Sequence, residues 1–157
     1  MTAGLVGERL LLTLWVGSLW AIGYIAVPLA FIHFDDNVVA GVFAGRLFTL
    51  VNYLGLACGS ALVVRFALLG QSVTTLWRFW VTLAMLLLVV FLHFYLQAEM
   101  ADIKALDWRE DSALSGRFDF LHHLSTGVYM VLSVLGLALV ATQDNTTGLA
   151  QDYNGEK

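Results

Sequence analysis

The chain has 157 residues, of which 59% are hydrophobic and 13% charged, against about 45–50% apolar and about 25% charged in a water-soluble domain. With a mean hydropathy of +0.79, a chain this short cannot hide its apolar surface in one core, so lipid covers the remainder. The net charge of −4 excludes a basic nucleic-acid-binding face, the single cysteine a disulfide scaffold, and the apolar content a disordered chain.

A helix needs about 20 mostly apolar residues to cross a bilayer, and four charge-free windows supply them. The first is Leu10–Ile32, a span of about 10–32. It is longer than the apolar run of a signal peptide and no basic cluster precedes it, so the reading keeps it in the mature protein. It carries Thr13, Gly17, Trp20, Tyr24 and Pro28 at helical spacing. The second window, Leu47–Val64, belongs to a span of about 40–64 whose helix begins at Asp35 or Asp36 as N-cap. Gly41, Gly45, Thr49, Asn52, Gly55 and Gly59 recur along it at steps of three or four, on one face. The third, Phe79–Ala98 (span 79–98), opens with Trp77 and Trp80 at the level of an interfacial aromatic belt. The fourth, Phe120–Thr142 (span 119–142), repeats the small and polar stripe with His122, Ser125, Thr126, Tyr129, Ser133 and Gly136, and a polar tail follows over 143–157. The expected fold is a single all-α domain over 1–157, four transmembrane helices in an antiparallel bundle. Because lipid supplies no hydrophobic drive between helices, these small and polar stripes are expected to face inward. Cys58, mid-span among small residues, reads as packing.

Four spans put both termini on one side. The cations divide evenly: Arg9, Arg65, Arg78 and Lys157 on the terminal side, and Arg46, Lys104, Arg109 and Arg117 on the other. Arg65 and Arg78 flank a loop without acids, whereas the third loop mixes its cations with Glu99, Asp102, Asp107, Glu110 and Asp111. The termini are therefore expected in the cytoplasm, in a multi-pass protein of a bacterial inner membrane.

The polar residues that packing explains least gather at the mouth opposite the termini. Arg46 enters the second helix there, and a cation at that depth snorkels or takes a partner, Asp119, Glu99, Asp35 or Asp36. His33, His93, His122 and His123 approach the same side. Neighbours on a helix are about 100° apart, and His122 shares the stripe of Ser125 and Tyr129, so it ranks above His123. A clamp by His122 with His93 or His33, with Met100 as a soft ligand, would suit haem b or copper. No Gly-rich phosphate loop, metalloprotease helix or nucleophile elbow is present, and the acids of the third loop read as solvated.

The run Leu14-Trp15-Val16-Gly17-Ser18-Leu19-Trp20, then Gly23-Tyr24, Pro28-Leu29-Ala30-Phe31, Ala40-Gly41 and Ala44-Gly45-Arg46-Leu47-Phe48, is joined by Phe118, His122 and Ser125 in a Phe-x-x-x-His-x-x-Ser pattern. Together they resemble a bacterial membrane family of unknown function related to eukaryotic transmembrane protein 205, over residues 10 to about 140. Relatives often carry a proline after the third helix, where this chain has Gln97-Ala98-Glu99. The resemblance implies a four-helix membrane fold without an agreed catalytic activity, and it selects Gly17, Pro28, Gly41, Gly45, Arg46, His122 and Ser125. Arg46, His122 and Ser125, with Asp119 as counter-ion, are accordingly expected to form a polar cluster, with Gly17, Pro28, Gly41, Gly45, Asn52, Gly55 and Gly59 as packing positions. The expected role is non-enzymatic: a small transport or stress-tolerance factor, or an accessory subunit that meets a membrane partner or a second copy of itself through its glycine faces. The alternative is a haem or copper protein.

Overall fold

The computed structural model describes residues 3–69, 73–106 and 111–142, with side chains over 4–68, 77–106 and 111–142. Four helices in it are long and apolar enough to cross a membrane: Gly4–His33 (α1), Asn37–Leu68 (α2), Trp77–Lys104 (α3) and Ser112–Ala141 (α4). The helices run beyond the expected spans at most of their ends, because the chain keeps helical hydrogen bonding through its charged ends, while the fourth stops at Ala141, one residue short of the expected Thr142. Asp36 caps α2, its Oδ1 accepting from the Val38 amide at 2.7 Å, and Asp111 caps α4, accepting from the Ala113 and Leu114 amides at 2.8 and 3.3 Å. Both carboxylates satisfy amides that a helix start leaves open. Glu99, Asp102 and Lys104, expected in a loop, are the last turns of α3. Asp107, Arg109, Glu110 and the tail 143–157 lie outside the described residues.

The helices form a four-cornered bundle in which α1 packs on α2 and α4, and α3 on α2 and α4, so α1 faces α3 and α2 faces α4 across the diagonals. Its outer surface is apolar on every helix, with Leu10, Leu50, Leu68, Leu87, Phe94, Phe120 and Val134 exposed. A helix apolar on all sides fits a lipid surround.

The centre is built by a large side chain against two small ones. Trp15 is fully buried, and a Cβ added to Gly55 or Gly59 would lie 2.7 Å from its Nε1 or 3.0 Å from its Cη2. The indole occupies the space that these two glycines leave, beside Leu86 and Val89 of α3. On the far side Gly136 makes the corresponding room for Val16 and Met85.

That complementarity corrects the expected inward faces. Gly55, Gly59 and Asn52 are buried, whereas Gly41 and Gly45 have open space where a side chain would begin, as does Gly17. On α1 the buried face is Leu12, Trp15, Val16 and Leu19, while Thr13, Gly17, Trp20, Tyr24 and Pro28 are exposed. The bundle needs bulk from α1 because α2 offers glycine, and one residue of offset turns a helix by about 100°.

Two π turns, Ile22–Ala26 in α1 and Leu92–Leu96 in α3, interrupt the α-helical ladder. At the first, Gly23 admits the Tyr129 ring, whose Cε1 would collide with any Cβ there. The Tyr129 hydroxyl donates to the Leu19 carbonyl at 2.6 Å, and Trp20 Nε1 donates to the Ser133 carbonyl at 3.4 Å.

Candidate functional site

Charge inside an apolar bundle is costly unless it is paired, which directs attention to the end of the bundle that carries the N-terminus. Glu8 lies on α1, Arg65 near the end of α2 and Arg78 near the start of α3, whose helix begins at Val73. Glu8 Oε1 takes Arg78 Nη2 at 2.8 Å, and Glu8 Oε2 takes Arg65 Nε at 3.4 Å. The side chains are 12% (Glu8), 25% (Arg65) and 8% (Arg78) exposed. One carboxylate thus joins three helices, including the diagonal pair α1 and α3, whose backbones do not meet. Two guanidiniums share that carboxylate, so the group keeps one positive charge.

The donors outnumber the acceptors as well. Arginine carries five N–H donors and no acceptor, and Arg78 Nε is buried without a hydrogen-bond partner among the described residues. Thr82, one turn further along the same face of α3, is fully buried, and neither its hydroxyl nor the buried Trp15 Nε1 has a hydrogen-bond partner among the described residues. Among the described residues, Asn52 and Ser133 are the other buried polar side chains.

The cluster expected at the opposite mouth is not assembled. Arg46, Asp119 and His122 are exposed, and among the described residues no ion pair joins Arg46 to Asp119, Glu99, Asp35 or Asp36. Arg46 sits on α2 and the other two on α4, which face each other across a diagonal, and each points outward. His122 stacks on Phe118 one turn earlier, with ring centroids 6.2 Å apart, and its carbonyl accepts from the hydroxyls of Ser125 and Thr126 at 2.8 and 2.9 Å. The inward face of α4 is Leu121, Tyr129, Leu132, Ser133, Gly136 and Leu139. The small and polar stripe coincides with it from Tyr129 onward and drifts out to solvent at His122. Glu99 pairs instead with Arg117 at 2.6 Å, at the surface. Arg46→Ala and His122→Ala should each leave the stability within about 0.5 kcal/mol of wild type, when followed by thermal unfolding of the purified protein.

His33 and His122 are exposed; His93 is half-buried in the second π turn, its Nδ1 3.2 Å from Gln97 Oε1 and its ring edge-on to Tyr53 at 4.7 Å. Among the described residues no three His, Cys, Asp or Glu side chains gather in a way that could hold a metal ion.

Sequence reasoning missed Glu8 because it precedes the first charge-free window, and it read Arg65 and Arg78 as cations without an acid. The usable signal was that all three charges border apolar windows at the same end of the bundle.

The family model described as a domain of unknown function, DUF4149, matches residues 10–109, which takes in α1 from Leu10 onward, α2 and α3 with Arg65 and Arg78, and begins just after Glu8. No curated protein and no solved structure matches the chain.

Proposed function

We propose that this chain, which belongs to the DUF4149 family of unknown function, is a non-enzymatic membrane factor whose working centre is the Glu8–Arg65–Arg78 mouth. The observation that carries this reading is the partly buried carboxylate, 12% exposed, shared by arginines from two other helices. An ionisable group buried in a membrane bundle marks function more often than packing. The role is that of a small transport or stress-tolerance factor, or of an accessory subunit. The open glycines Gly17, Gly41 and Gly45 support the accessory form, because they leave room for the close backbone approach of a partner helix or a second copy. Kinship with eukaryotic transmembrane protein 205 belongs to the same proposal. So does residence in a bacterial cytoplasmic membrane with both termini inside, which a reporter fused after Lys157 tests: activity outside the cytoplasm would reverse the orientation.

In a strain lacking the gene, Glu8→Gln should fail to restore the wild-type phenotype, whereas Arg46→Ala should restore it. The reverse result would move the working centre to the opposite mouth. The protein purified in detergent is expected to show neither a Soret band nor stoichiometric copper. Either signal would replace this reading with a haem or copper protein built on His122 and His93 or His33.

A further inference from the structure

Taking the Glu8 mouth as the working centre, we propose that it binds a phosphate oxyanion, that of an anionic phospholipid headgroup. Three observations at one place support a phosphate. Glu8 spends one oxygen on each arginine, which among the described residues leaves the two Nη groups of Arg65 and one positive charge of the three-residue group uncommitted. Arg65 Nη1 lies against Gly4, only 2.7 Å from where a Cβ would stand, so the guanidinium rests on the amide end of a helix that begins at Ala3 and has no acid in its first turn. A helix amino end is itself positive and collects anions. Two positive features are thus in contact, and an oxyanion between them would satisfy both, with arginine offering its planar fork.

Depth identifies the source of that oxyanion. Glu8 and Arg78 stand near the first turns of α1 and α3 and Arg65 near the last turn of α2, and Trp77 and Trp80 are exposed on either side of Arg78. Exposed tryptophans mark the headgroup level of a bilayer, where phosphate is the resident anion. Arg65 is open enough to touch it, while the buried Arg78 supplies charge from behind. The surplus of one positive charge favours a headgroup of net charge −1 over a zwitterion.

The test is thermal unfolding of the full-length protein in detergent, with added dioleoylphosphatidylglycerol, dioleoylphosphatidylcholine or inorganic phosphate at matched ionic strength. Phosphatidylglycerol at about ten times its Kd should raise the unfolding temperature by about 4 °C, and the other two should not. Arg65→Gln, which leaves the Glu8–Arg78 pair intact, should lose most of the shift, and Arg65→Lys should keep about half of it. No shift with phosphatidylglycerol, an equal shift in Arg65→Gln, or a shift with inorganic phosphate alone would each overturn the lipid assignment. Those failures are separable from failure of the mouth as working centre, which is read from the Glu8→Gln phenotype.

Discussion

Glu8→Ala is expected to lower the stability of the purified protein by about 3 kcal/mol, at the lower edge of the roughly 3–5 kcal/mol that breaking a buried ion pair costs. The loss comes less from the missing attraction than from what remains: Arg65 and Arg78 held side by side, the second almost fully enclosed. The lower edge applies because the cluster lies at a mouth where water can reach Arg65. Replacing all three at once, Glu8→Leu with Arg65→Leu and Arg78→Leu, should recover stability to within about 1 kcal/mol of wild type, since apolar groups of similar shape often substitute for a buried ionic set. Thermal unfolding of the single and triple variants checks both statements. A Glu8→Ala protein within 0.5 kcal/mol of wild type, on the scale of about ±0.5 kcal/mol for ordinary surface substitutions, would mean that the three side chains are solvated independently.

Trp15→Ala should cost about 3–5 kcal/mol. The indole is wholly buried between Gly55 and Gly59, and neither glycine has a side chain that could relax into the vacated space. The reciprocal change gives the sign control. Gly59→Leu alone forces bulk against the ring and should destabilise by about 1–3 kcal/mol, but combined with Trp15→Ala it should restore part of the loss. If the double variant is no better than Trp15→Ala, the ring and the glycine do not share one volume.

The four spans were legible because a bilayer imposes a length and an absence of charge that can be counted along the chain. The helix starts were legible where a carboxylate preceded an apolar run, as Asp36 does. Facing was harder. Small residues on α2 do identify an interface, but the matching element on α1 is the large Trp15, so looking for small residues on both partners rotated α1 by one position. The site was illegible for a different reason. Glu8 is 57 residues from Arg65, and only the bundle, by bringing the ends of α1, α2 and α3 together, converts three window-edge charges into one cluster. Arg46, His122 and Asp119 share a side of the membrane but stand on opposite corners, and depth along the helix axis carries no information about azimuth.

The π turns at Ile22–Ala26 and Leu92–Leu96 bear on how the chain tolerates length changes. A π turn accommodates one residue more than the α-helical ladder requires, so each marks a place where the spacing between two fixed packing faces exceeds the regular period by one. Deleting a residue there would return the helix to ordinary pitch without shifting Trp15 against Gly55 or Met85 against Gly136. The same deletion elsewhere in α1 or α3 would turn every side chain beyond it by about 100°. The two turns thus serve as register adjusters, and alignments of related chains should concentrate single-residue gaps at these positions.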